Sequence, residues 1–260
     1  MSRRKVLVTG ASGLIGGLLL NRLSDRYEFS GLNRRPVPGI PCAQADIADF
    51  DAIRPAFDGI ETVVHLAGYT GSAEDPAVTD WHGNLYGHMV GTRHVYEASR
   101  QAGVKRVVFI SSGCVVLGYE RDFPYNHLVA GEYDQVPETW PMVDETWPIR
   151  PDGVYGAAKA FGENLGHVYS DMHGISVLCL RIGAVLDTDR PKLRRQYPGY
   201  LSHRDITHAI ERCIEAPEEL KFGIFDIISN NRWAWRSIAS ARRVLGYDPQ
   251  DSAEAYTLDD

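Results

Sequence analysis

The stretch that most limits what this chain can become is Lys5-Val6-Leu7-Val8-Thr9-Gly10-Ala11-Ser12-Gly13-Leu14-Ile15-Gly16-Gly17. Val6 to Val8 form a short apolar run of the buried-strand type. Leu14, Ile15, Leu18, Leu19, Leu20 and Leu23 then recur at helical spacing. Gly10-x-x-Gly13-x-x-Gly16 therefore predicts a strand–turn–helix corner. One glycine permits the tight turn, another lets the main chain approach a pyrophosphate, and the third lets the helix pack close to the strand. The helix start adds unpaired N–H groups and the positive end of a dipole. Gly10, Ser12, Gly13, Leu14, Ile15 and Gly16 are accordingly the expected cradle of a dinucleotide.

The rest of the chain alternates short apolar runs with helical periods. Strands are expected at Tyr27 to Leu32, Pro41 to Asp46, Thr62 to Leu66, Val107 to Ile110, Ile175 to Leu180 and Gly223 to Ile228. Helices are expected at Asp49 to Phe57, Asp80 to Gly103, Gly153 to His173, His203 to Glu215 and Trp235 to Leu245. Such alternation requires parallel pairing through right-handed crossovers, so the expected class is α/β, a Rossmann-like doubly wound parallel sheet. Within one domain of 260 residues, the cofactor part is placed at about 1–180. A small C-terminal substrate lobe is placed at about 181–260. Gly118 to Pro151 breaks the pattern with prolines and aromatics. Its centre, about 120–146, reads as an insertion that forms an ordered cover near a site.

A formal net charge of −7 argues against nucleic acid or an anionic membrane as partner. No apolar run reaches the length of a membrane span. The four cysteines lack metal-ligand spacing, so no metal is expected, reduced thiols are the default, and the expected compartment is the cytoplasm.

Tyr155-Gly156-Ala157-Ala158-Lys159 sets a phenol and an ammonium four residues apart on one helical face. A free phenol titrates near 10. A fixed cation beside it favours the phenolate, which is what a general base at neutral pH needs. This pair lies downstream of a strand ending in Ser111-Ser112.

In order and spacing, the glycine corner, Asp46-Ile47, His65-Leu66-Ala67-Gly68, Ser111-Ser112 and Tyr155-x-x-x-Lys159 resemble the extended short-chain dehydrogenase/reductase superfamily, the NAD-dependent epimerases and dehydratases. Arg150-Pro151-Asp152-Gly153-Val154-Tyr155-Gly156, Phe161-Gly162-Glu163-Asn164-Leu165, Arg181-Ile182-Gly183, Leu201-Ser202-His203 and Leu245-Gly246-Tyr247-Asp248-Pro249 are most similar to the uronate dehydrogenases. That resemblance implies an oxidoreductase that converts the anomeric carbon of a small free sugar or sugar acid to a lactone. It implies Tyr155 as general base, Lys159 lowering its pKa and holding the nicotinamide ribose, and Ser112 bonded to the reacting oxygen. Asp46, Ile47, Leu66, Ala67, Gly68 and Ser111 would contact the cofactor. Thr70, Ser112, Gly113 and Arg195 would contact substrate, with Arg195 taken over Arg194 for a substrate carboxylate. A homodimer through the helices around Thr92 and Tyr155 is also implied.

Three positions depart from the pattern. The second strand ends in Asn33-Arg34-Arg35, where an NAD enzyme usually places an acid for the ribose 2′-hydroxyl. A guanidinium suits a 2′-phosphate, so NADP is favoured, with NAD as the other choice. Gly113 stands where relatives carry a serine, threonine or asparagine, and His88 where they carry a helix asparagine. Two other functions stay open: a nucleotide-sugar epimerase, dehydratase or 4-ketoreductase, and a non-catalytic nucleotide sensor. Gly113-Cys114 lacks the acidic pair of dehydratases, and the presence of both Tyr155 and Lys159 weighs against the sensor.

Overall fold

The computed structural model describes residues 3–69 and 81–257. Its strands are β1 (Arg4–Thr9), β2 (Tyr27–Asn33), β3 (Cys42–Gln44), β4 (Thr62–His65), β5 (Arg106–Ser112), β6 (Ser176–Ile182) and β7 (Phe222–Ile227). They form one seven-stranded parallel sheet in the order β3-β2-β1-β4-β5-β6-β7. The helices are α1 (Leu14–Leu23), α2 (Phe50–Ile53), α3 (Trp81–Asn84), α4 (Gly91–Ala102), α5 (Tyr125–Ala130), α6 (Val154–His173) and α7 (His203–Ile214). Val6–Val8, Val63, Val64, Val107–Ile110 and Val177–Leu180 are all buried. Such unbroken apolar strands are those of a sheet covered on both faces. Leu19 and Leu23 of α1 pack with Ile206, Ile210 and Cys213 of α7 on one face. Val95, Tyr96 and Ala98 of α4 pack with Tyr169 of α6 on the other. The order of strands reverses between β1 and β4, and ligands of open α/β sheets bind at that switch point, beyond the strand C-termini.

The helix expected over Asp80 to Gly103 starts outside the described residues, and its described part is unbroken but changes width. From Trp81 it runs through α3, a wide π-type turn at Leu85–Val90, and then α4. Such turns shift the helical register, often at functional sites, and this one carries His88.

The helix expected at Trp235 to Leu245 is a second difference. Its C-terminal part is helical, 239–240 leading into the wide turn Ala241–Leu245. Val143 N–H donates to the Trp235 carbonyl at 2.9 Å and Ser237 N–H to the Val143 carbonyl at 2.8 Å, so Trp235–Ser237 is extended. Apolar spacing allowed a helix; a main-chain partner from a distant segment fixed an extended chain instead.

That partner belongs to the predicted insertion, which is ordered. Val115, Val116, Tyr125, Leu128, Val143, Ala160 and Trp235 form its own apolar cluster. Tyr133 stacks on Trp233 at 4.0 Å between ring centroids, and Trp140 Nε1 donates to the Ala234 carbonyl at 3.0 Å. The C-terminal region does not stand wholly apart as a lobe. Its α7 and β7 extend the layers of the main fold, while its remaining loops meet the insertion.

Candidate active site

At the glycine corner, Gly10 has φ +73°, and a Cβ there would lie 2.8 Å from Ala67 N. A Cβ on Gly16 would lie 2.6 Å from the Ala11 carbonyl oxygen. Gly10 thus brings β1 against the segment after β4, and Gly16 seats α1 on its own turn. Gly13 caps α1 without a side chain, and no acidic residue sits in the first turn. Ser12 and Leu14 are exposed and Ile15 half-buried. Free N–H groups at an open helix start, beside a cradle that any Cβ would fill, fit a pyrophosphate.

At the end of β2, Ser12 Oγ donates to Asn33 Oδ1 at 3.1 Å, and Asn33 Nδ2 donates to the Arg35 carbonyl at 2.8 Å. Arg34 and Arg35 are exposed, and neither side chain has an ion-pair partner among the described residues. Asp46 Oδ1 accepts from Ala48 N at 2.9 Å and tightens the turn after β3. Ile47 is buried against Gly91 of α4.

At the ends of β1 and β4, Ala67 N–H donates to Thr9 Oγ1 at 3.1 Å. Thr9 Oγ1 lies 2.7 Å from His65 Nδ1, and His65 Nε2 lies 3.2 Å from Thr92 Oγ1. Burial pushes the His65 pKa well below its ordinary value, so the ring is neutral. The ring bridges the Thr9 and Thr92 hydroxyls, one ring nitrogen donating and the other accepting, and Thr9 in turn holds the Ala67 main chain.

The wide turn before α4 lays His88 over Gly68, where a Cβ would strike the ring. His88 Nε2–H donates to the Tyr69 carbonyl at 2.9 Å, while its buried Nδ1 has no partner among the described residues. Burial first, then the Lys159 charge, lowers its pKa to about 4. Its ring meets that of Tyr155 edge-on, 5.0 Å between centroids. A continuous line of contacts therefore runs from Gly10 through Ala67, Gly68 and His88 to Tyr155.

Tyr155 lies in the first turn of α6, where Gly156 has no room for a Cβ against the Cys114 carbonyl. That close approach sets the phenol beside Ser112. Lys159, one turn on, donates from Nζ to the Ile110 carbonyl at 2.8 Å and lies 5.7 Å from the centre of the Tyr155 ring. Burial lowers the Lys159 pKa to about 8. The Tyr155 pKa is raised to about 12, by burial first and then the Cys114 charge, with the Ser112 hydroxyl pulling it back. Lys159 is expected to depress the phenol together with the cationic nicotinamide ring; with the protein groups alone, the phenol lies above its ordinary value. The Lys159 ammonium makes its hydrogen bond to the Ile110 carbonyl.

Ser111, expected at the cofactor, turns its hydroxyl into the interior. Its hydroxyl donates to Glu163 Oε1 at 2.6 Å, and Arg181 holds the same carboxylate through Nε (2.9 Å) and Nη2 (2.8 Å). The side chain is committed to this buried network, which leaves only its main chain for a ligand.

A cavity of about 300 Å³ opens at Ser112 and Gly113, walled by Leu117, Glu120, Arg195, Trp235 and Arg236 among others. Thr70 lies outside the described residues. Arg195 does reach the cavity, but paired: its Nη2 is 2.6 Å from Glu120 Oε2. Gly113 finds its explanation in Arg236, since a Cβ at 113 would lie 2.5 Å from Arg236 Nη1. The guanidinium occupies the space of the missing side chain and is itself held by Asp226 Oδ1 at 2.7 Å and the Arg181 carbonyl at 3.1 Å. Glu120 and Arg236 were not among the residues expected from sequence. The bare Gly113 was the only signal, and it does not say which residue fills the gap. No cluster of metal-ligating side chains occurs among the described residues.

The profile of the NAD dependent epimerase/dehydratase family matches residues 6–237. An NAD-dependent glucose-6-phosphate dehydrogenase of Haloferax volcanii is 35% identical, over 98% of this chain and 96% of its own. The L-arabinose 1-dehydrogenase (NAD(P)(+)) of the same organism is 31% identical, over 96% and 97%. A mutant uronate dehydrogenase from Agrobacterium tumefaciens, solved in complex with NAD, superposes with a TM-score of 0.80 at 31% identity, over 98% of this chain and 87% of its own.

Proposed function

The chain belongs to the NAD dependent epimerase/dehydratase family, and from that premise we propose that it is an NAD(P)-dependent oxidoreductase. Its substrate is a small free sugar or sugar acid, oxidised at the anomeric carbon to a lactone. The observation that carries this reading is the line of contacts from the glycine corner to Tyr155, with Ser112 and a cavity of about 300 Å³ at its end. That volume is at the low end for small-molecule pockets, which favours a single sugar ring over a nucleotide sugar. A bound nicotinamide supplies the acceptor for the hydride. Ser112 orients the reacting hydroxyl, Tyr155 takes its proton, and the Lys159 ammonium, held by the Ile110 carbonyl, stabilises the phenolate that must exist at that moment. The test is nicotinamide absorbance over a panel of free aldoses, hexuronates and nucleotide sugars with each cofactor. Turnover confined to nucleotide sugars would overturn the reading.

A pH dependence follows from the phenol. Its folded value, about 12, leaves the protonated and inactive form dominant at neutral pH. Sugar oxidation should therefore gain activity as pH rises, with kcat/KM increasing by about tenfold per unit until the Lys159 ammonium begins to lose its proton, at about 8. A flat profile between pH 6 and 9 would remove Tyr155 as the titrating base.

The cofactor is proposed to be NADP. Arg34 and Arg35 are exposed and unpaired among the described residues, and Asn33 offers no carboxylate to a 2′-hydroxyl. Hydrogen bonds to a charged group contribute about 1.5–3 kcal/mol each. Arg34→Ala/Arg35→Ala should then weaken NADP by about tenfold or more and leave NAD nearly unchanged, read from cofactor-dependent shifts in Tm. Greater stabilisation of the unaltered chain by NAD than by NADP would reverse this assignment.

A further inference from the structure

We propose that the sugar oxidised here carries no anionic group, and that Glu120 enforces this choice. The inference rests on the proposed sugar oxidation and narrows its substrate class.

Arg195 is the cation expected to hold a substrate carboxylate. Its Nε and Nη2 instead both donate to Glu120 Oε2, at 3.2 and 2.6 Å. A guanidinium holds carboxylates through such paired N–H donors, so an acid of the chain itself occupies the place of a substrate anion. Glu120 is the enclosed partner, with 13% of its side chain exposed against 60% for Arg195. Both residues line the cavity that begins at Ser112. The second cation of that cavity is neutralised as well, since Arg236 Nη1 is 2.7 Å from Asp226 Oδ1. No uncompensated positive charge is left for a carboxylate or phosphate among these four groups. An anionic substrate would also bring like charge against Glu120, which is strongly unfavourable in an enclosed site.

The same groups suit hydroxyls. Glu120 Oε1 accepts no hydrogen bond from the described residues, and Arg236 Nη2 donates none. One side of the cavity therefore offers an acceptor and another a donor, and each sugar hydroxyl can serve as either. The substrate class that matches is a neutral aldose.

The test uses the full chain with saturating cofactor. It compares kcat/KM for neutral aldohexoses and aldopentoses with the matching hexuronates and hexose 6-phosphates. The expected result is a preference for neutral sugars by about tenfold or more, the scale of one misplaced charge. Glu120→Gln keeps the shape and removes the charge, so it should shift the uronate-to-aldose ratio by about tenfold toward the uronate, mainly through KM. A preference of the unaltered chain for uronates or sugar phosphates overturns the proposal, and needs no variant to be seen. So does a Glu120→Gln variant that keeps its fold, by thermal melt, with an unchanged ratio. Turnover of none of these sugars, with either cofactor, overturns the sugar-oxidation reading itself; activity on anionic sugars alone overturns the neutral-sugar proposal and leaves sugar oxidation standing.

Discussion

Tyr155→Phe lowers kcat/KM for sugar oxidation by about 10²- to 10⁴-fold, the usual contribution of a positioned general base, while the stabilisation of the chain by its cofactor is retained. The substitution removes one hydroxyl and keeps the ring that meets His88 at 5.0 Å. The packing from Gly68 to α6 should therefore persist, and the loss should fall on kcat. Turnover kinetics paired with thermal melts separate the two effects. Turnover near that of the unaltered chain would exclude Tyr155 as the base. An equal loss of cofactor-dependent stabilisation would assign Tyr155 to binding instead.

The second large effect is on stability. Arg236→Met removes the cation from a buried pair and leaves Asp226, which is fully buried, without its partner. Breaking a buried pair on one side costs about 3–5 kcal/mol, or on the order of 10 °C in Tm for a chain of this size. Asp226→Asn/Arg236→Met removes both charges and should recover most of that loss, while activity stays low because the cavity wall has changed. The pH dependence has a definite sign. Burial already raises the Asp226 pKa with Arg236 present, and losing the cation raises it further. A carboxyl with a raised folded pKa contributes stability below its unfolded value and loses it as pH climbs through the folded one. The deficit of Arg236→Met should therefore shrink toward acid pH, measured by denaturant unfolding. A deficit independent of pH, or one not recovered by the second substitution, would show that the pair is not what Arg236 stabilises.

The glycine corner, the strands and the Tyr155–Lys159 pair were legible because each depends on neighbours in sequence. The helical spacing from Leu14 to Leu23 appears as the helix Leu14–Leu23, and the helix predicted at His203 to Glu215 appears as His203–Ile214. The first part of Trp235 to Leu245 departs from its helical spacing for the opposite reason. Its apolar spacing is helical, but Val143 supplies main-chain hydrogen bonds that no local pattern announces. The phenol is a further case. The spacing of Tyr155 and Lys159 predicts mutual stabilisation, yet burial moves the phenol up and the ammonium down. Desolvation depends on everything packed around a group, and that is invisible in a five-residue motif.

What the sequence determined by itself is the doubly wound sheet, the strand–turn–helix corner at Gly10, Gly13 and Gly16, and the family. Periodicity and turn requirements act over a few residues, so they can be read along the chain. What only the tertiary structure decided is the character of the cavity at Ser112 and Gly113. Arg236 fills the space left by Gly113, and Glu120 neutralises Arg195 from a segment far away in sequence. Charge and shape in a buried site are sums over side chains that folding brings together. Those sums exist only once the insertion has packed onto Trp233 to Ser237 and carried Arg236 into place.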